Sequence, residues 1–136
     1  MKYKFFEHTA DAKFEAYGKS LGEAFTNAAL AMYSIMIDPE KIKGQVKKKI
    51  AVEGKDDMAI LYNFLEELLF LLDTEGFLLH DVENIKISEG KLTAIVIGDT
   101  DVDKYDVEGE VKAVTYNDMK ISEKNGKITA QVVVDL

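Results

Sequence analysis

Near the start of the chain, His8-Thr9-Ala10-Asp11 puts an imidazole and a carboxylate on one short segment, and the chain closes on Val132-Val133-Val134-Asp135-Leu136. If the two end segments become neighbouring strands, Asp11, Asp135 and the α-carboxylate of Leu136 converge into an oxygen-rich pocket of the kind that hard divalent cations need. Taken singly, each residue has a plainer explanation. A terminal aspartate is usually solvated, and an aspartate in a loop commonly bonds nearby backbone N–H groups. His8 alone reads as a hydrogen-bonding structural residue. The chemistry therefore depends on whether the fold brings the two ends together.

Other acid-rich or basic stretches also have plainer explanations. From Asp99 to Glu110, acids occupy positions 1, 3, 5 and 12 of an EF-hand register, but Lys104 stands at position 6, where the loop's sharp turn needs glycine. The flanks read as strands, so a solvated acidic loop between strands is expected. Glu110-Val111-Lys112-Ala113-Val114-Thr115-Tyr116 puts Lys112, Val114 and Tyr116 on one strand face, where a lysine ordinarily protects an edge. No glycine-rich phosphate loop, nucleophile elbow, metalloprotease helix or Ser/His/Asp set is present. Histidine occurs only at positions 8 and 80.

Composition narrows the classes further. A chain of 136 residues, 47% of them hydrophobic, can bury one sizeable core, so a single domain over 1–136 is expected. The formal net charge of −8 opposes broad contact with a phosphate backbone, and strong direct nucleic-acid binding is not expected. The absence of cysteine removes disulfides and thiolate chemistry and fits a cytoplasmic protein. No secretory signal is read at the start. The most apolar run, Leu68 to Leu72, is far short of the roughly 20 residues of a membrane span.

The elements that must position the acids follow from periodicity. Residues 3–17 read as two short strands around the His8–Asp11 segment. Ser20-Leu21-Gly22-Glu23 is a capping box, and the spacing of Leu21, Ala24, Phe25, Ala28, Met32, Ile35 and Met36 predicts a helix over 21–36, closed by Asp38-Pro39. A strand over 46–52 precedes a second helix, capped by Asp56 or Asp57 and ended by Gly76. Its apolar positions cover most of the circumference, so burial on more than one side is expected. Strands are predicted at 85–87, 92–97, 111–116, 119–121 and 128–134, with turns at Glu89-Gly90 and Asn125-Gly126. Two helices inserted among antiparallel strands indicate an α+β domain: a mostly antiparallel or mixed sheet with both helices packed on it.

With these segments in order, the whole chain resembles an archease. The resemblance rests on His8-Thr9-Ala10-Asp11 with Ala16-Tyr17-Gly18, on Asn27-Ala28-Ala29-Leu30-Ala31-Met32, and on the leucine-rich second helix leading to Asp73-Thr74-Glu75-Gly76. It extends to Glu110–Tyr116 and Val134-Asp135-Leu136. Archeases are accessory proteins of RtcB-type RNA ligases, which join tRNA halves using GTP and a divalent metal. The resemblance implies a protein that is not itself an enzyme but promotes guanylylation of the ligase and its repeated turnover. It further implies a divalent metal held by Asp11, Asp135 and Leu136, calcium first, with magnesium or manganese as alternatives. His8 and Lys112 are the candidate contacts to a partner or a phosphate. Asn117 and Tyr105 stand where many relatives carry histidine, so histidine-based roles there are not expected. The competing reading is a chaperone-like modulator of a tRNA cytosine methyltransferase. Oligomeric state is left open by the sequence.

Overall fold

A computed structural model describes residues 1–7 and 11–136; His8, Thr9 and Ala10 lie outside the described residues. In chain order the elements are β1 (Tyr3–Phe6), β2 (Asp11–Gly18), α1 (Leu21–Ser34), β3 (Val46–Glu53), α2 (Asp57–Glu75), β4 (Leu78–Ser88), β5 (Lys91–Asp99), β6 (Ala113–Lys124) and β7 (Lys127–Asp135). The strands form two sheets rather than the single sheet expected, in the orders β1-β2-β7-β6 and β3-β5-β4. Every pairing is antiparallel.

The apolar character of the helices explains the division. α1 is buried at every position from Asn27 to Tyr33, whereas a helix lying on one sheet would bury a single stripe. It packs against β2 and β7 of the larger sheet and β4 of the smaller one, while α2 packs against β6 and β3. Both helices thus serve both sheets, and the core runs between the layers from Phe14 and Val132 through Phe25, Phe64 and Leu68 to Leu92 and Val96.

Local signals set the helix ends. Ser20 Oγ accepts the Glu23 N–H at 3.1 Å, and Glu23 reaches back to the Lys19 N–H, one residue earlier than an ideal capping box. α1 stops at Ser34, two residues short of Met36, because the next N–H groups turn to the tighter three-residue pattern: Ile35 donates to Met32 O and Met36 to Tyr33 O. Asp56 caps α2 by accepting the Ala59 N–H at 2.8 Å, and Gly76 closes it in the left-handed region at φ 68°. The buried Tyr33 hydroxyl joins the layers, lying 3.1 Å from Leu68 O and 2.9 Å from Phe77 O. Burial pushes this phenol above its ordinary range.

Strand boundaries depart more from expectation. The predicted 85–87 strand is the last part of β4, which starts at Leu78, and the predicted 111–116 and 119–121 strands are one strand, β6, with a wide irregularity. Thr115 pairs with Val133 and Lys120 with Gln131, so five steps along β6 oppose two along β7. Asn125-Gly126 makes the expected hairpin, with φ of 53° and 75°. Among the described residues no helix is long and apolar enough to cross a membrane.

Candidate functional site

β2 and β7 are the two central strands of the larger sheet, and they pair residue for residue from Asp11↔Asp135 to Gly18↔Ile128. Phe14 and Ala16 are fully buried toward the helices, so alternation sends Asp11, Lys13, Glu15 and Tyr17 to the outer face. Register then puts the two aspartates directly opposite each other on that face, at one end of the sheet. Directly opposed residues have Cβ atoms about 4.5–5.5 Å apart. Asp11 is half-buried and Asp135 exposed. Leu136 follows at once and is partly exposed.

The third neighbour comes from β6. Ala113 pairs with Asp135 on its other side, and the Lys112 N–H donates to Asp135 O at 2.8 Å. The main chain of Lys112 is therefore fixed beside the paired aspartates, with its side chain exposed. Next to this corner the β6 irregularity folds over β7. Thr115 Oγ1 donates to Val133 O at 2.8 Å and accepts the Asn117 N–H at 3.2 Å; Gln131 Nε2 donates to Asp118 O at 2.7 Å. Lys13 pairs with Asp118 at 3.8 Å from the opposite side. This roof explains why Val133 is fully buried although it lies on the outer face. Asp118 takes a left-handed φ of 52° at the roof's turn, a conformation that aspartate tolerates better than most residues. The signal for it was Asn117-Asp118, two turn formers interrupting a strand pattern.

The predicted residues thus fall into two groups. Asp11, Asp135 and Leu136 share one corner with the backbone of Lys112, and His8 lies outside the described residues. Like charges directly opposite on adjacent strands destabilise a sheet, and a cation between them removes that cost. The two carboxylates supply hard oxygens suited to calcium, magnesium or manganese. Among the described residues there is no group of three or more acidic, histidine or cysteine side chains that could hold a metal ion. An ion at this corner would take the two aspartates and complete its shell from Leu136, backbone oxygens or water.

The acidic segment after β5 is the solvated loop expected, exposed from Thr100 to Glu110 except at the half-buried Tyr105, and the departure lies at its root, in the last residue of β5. Asp99 is only 3% exposed. Its carboxylate accepts the Asp101 N–H at 3.0 Å, the Tyr105 hydroxyl at 2.8 Å and the Lys104 ammonium at 3.3 Å. The backbone N–H of Asp101, then the Tyr105 hydroxyl, hold this carboxyl below the usual range. Lys104, in the place an EF-hand loop gives to glycine, is the counter-ion. Tyr105 also accepts the Lys43 N–H at 3.1 Å, so the cluster ties this loop to the segment before β3 and is occupied internally.

Comparison with known proteins places this architecture. The profile of the Archease protein family matches residues 3–136. The archease of Pyrococcus abyssi is 40% identical over 141 residues, covering 99% of this chain and 99% of that protein. The archease of Methanosarcina barkeri is also 40% identical, over 144 residues, covering 99% of this chain and 96% of that protein. The solution structure of Methanobacterium thermoautotrophicum protein 1598 superposes with a TM-score of 0.85 at 37% identity, covering 99% of both chains. The crystal structure of an archease from Thermotoga maritima, described as a possible chaperone, shares the fold with a TM-score of 0.65 at 21% identity, covering 98% of this chain and 96% of that one. On this full-length agreement of sequence and fold, the chain belongs to the archease family.

Proposed function

We propose that this protein is a cytoplasmic accessory factor, not itself an enzyme, that activates an RtcB-type RNA ligase in tRNA splicing through a divalent-cation site at Asp11 and Asp135. The observation that carries the reading is the register that sets these two aspartates opposite each other on the central strands of the larger sheet. The ligase is what the resemblance implies, and membership of the archease family supports that part of the reading.

Nucleotidyl transfer is limited largely by positioning and by charge on phosphate oxygens, and a bound divalent cation supplies positive charge against those oxygens. The protein's own contribution is geometric. The continuous β2–β7 ladder holds both carboxylates at a fixed separation, and the roof over Val133 stiffens the strand end that carries Asp135. The Lys112 N–H on Asp135 O orients the same strand end from the other side. Leu136 is the further ligand that the resemblance assigns.

The test is multiple-turnover ligation of cleaved tRNA by a cognate ligase with GTP and metal, with this protein and with its Asp11→Ala and Asp135→Ala variants, metal affinity being measured in parallel. Repeated turnover with the parent protein, lost together with metal affinity in both variants, is the expected result. Full activation by both variants would overturn the site. Lost activation with unchanged metal affinity would exclude the cation's part. Suppressed aggregation of a methyltransferase without any ligase stimulation would overturn the partner.

A further inference from the structure

The sheet that carries the aspartates at one end carries a cluster of lysines at the other. β2 spans eight residues, so the ends are about 24 Å apart at a strand rise near 3.4 Å per residue. Where Gly18 pairs with Ile128, a cleft of about 900 Å³ opens, with Lys2, Lys4, Tyr17, Lys19, Asn27 and Lys127 in its walls. We infer that this cleft is a binding site for the phosphate backbone of a nucleic acid, a contact that goes beyond the ligase reading.

The charge pattern is the first argument. Acids outnumber lysines by 25 to 17 along the chain, and Lys13, Lys47, Lys48 and Lys104 are consumed in ion pairs. Lys2, Lys4, Lys19 and Lys127 are all exposed, and none of them forms an ion pair among the described residues. They come from three separate parts of the fold, β1 and its approach, the turn before α1, and the start of β7. Two acids stand near these four lysines and keep their charge: Glu23, which lines the cleft and accepts the Lys19 N–H at 3.1 Å, and Glu15, opposite Lys4 across the β1–β2 pair, which accepts the Tyr17 hydroxyl at 2.9 Å. Lys127 is held with its ammonium 4.0 Å from the centre of the Tyr17 ring, which keeps it over the opening. The amino end of α1 adds partial positive charge on the same side.

The second argument concerns what the walls lack. Lysines are point charges with no fixed fork, and the amide of Asn27 is already spent on Tyr17 O at 2.7 Å. Little remains to read a base edge, so the contact is with phosphates and independent of sequence. Exposed ammonium groups that form no ion pair among the described residues gain from a phosphodiester chain through release of its condensed counterions. That release makes binding strongly salt-dependent.

Fluorescence anisotropy of an end-labelled oligouridylate tests the inference with the full-length protein in chelator and without ligase, so the outcome is independent of the cation site and of ligase activation. Four lysines neutralising four phosphates predict a log–log salt slope of about −3. The Lys4→Glu/Lys127→Glu variant should bind at least about tenfold more weakly with a shallower slope, while Lys86→Glu/Lys91→Glu on the other sheet should stay within about twofold of the parent. Circular dichroism reports folding, and Lys4→Gln/Lys127→Gln replaces the charge-reversed variant if that one does not fold. An absence of binding by the parent at low salt overturns the inference, as does unchanged affinity in the folded cleft variant. Equal displacement by polyglutamate at matched charge also overturns it, by assigning the cleft to an acidic protein segment.

Discussion

Replacing Asp135 with asparagine keeps the shape of the side chain and removes one of two charges that the strand register sets face to face. At about 5 Å in a solvent-like dielectric, two unit charges repel by about 0.8 kcal/mol, so in a metal chelator Asp135→Asn should be more stable than the parent by up to about that amount. Unfolding entropy near 2 cal/mol/K per residue gives a chain of this length a slope of roughly 0.3 kcal/mol per degree, so the variant should melt up to about 3 °C higher. Calcium reverses the order. At a free concentration about one hundred times its dissociation constant, binding stabilises the parent by about 2.7 kcal/mol, or roughly 9 °C, whereas the variant has lost a charged ligand and gains far less. Differential scanning calorimetry in chelator and in calcium measures both shifts on one pair of proteins. A variant that melts well below the parent in chelator, with calcium moving both equally, would refute the reasoning that these aspartates are a repelling pair relieved by a cation.

Three further outcomes follow from the packing. Tyr33→Phe leaves the carbonyls of Leu68 and Phe77 without their buried hydroxyl and should cost about 1–3 kcal/mol in urea denaturation. Gly98→Ala would drive a Cβ into Leu78 O, a backbone atom that cannot swing away, and should cost about 3 kcal/mol or prevent folding, read by denaturation and soluble yield. Tyr105→Phe removes a donor that helps hold the Asp99 carboxyl below its usual range. A depressed carboxyl stabilises the fold above its unfolded pKa and ceases to do so as pH falls through the folded value, so the melting gap between parent and variant should be widest near pH 7 and narrow by about pH 3. A gap of constant width across that series would show that Asp99 ionisation plays no part.

What could be read from the sequence was whatever depends on near neighbours in the chain. Ser20 and Asp56 mark helix starts because a side-chain oxygen there meets an N–H three residues on, and Gly76 and Asn125-Gly126 mark stops and turns because they tolerate positive φ. The apolar girth of the second helix pointed to burial on more than one side, whereas the spacing in the first read as one stripe, short of the all-round burial from Asn27 to Tyr33. Strand limits were less legible. Leu78 to Asn84 lacks clean alternation because β4 shifts register twice against β5, and the β6 irregularity hid one strand behind what reads as two.

The acidic loop shows the same boundary from the other side. Charge count alone suggested a solvated segment, and residues 100–110 are exposed apart from Tyr105, but Asp99 at its root is buried because Tyr105, Lys104 and the Asp101 N–H gather around it, an arrangement set by the loop's path rather than by its composition. The paired aspartates stand between these cases. Asp11 and Asp135, as residue types at the two ends, were plain in the sequence, and with them the kind of chemistry they suit. Their adjacency was not, because a one-residue slip between β2 and β7 would send one carboxylate to the opposite face. The register that prevents this comes from burying Phe14, Ala16, Ala130 and Val132 together against the helices, a condition that only the folded core imposes.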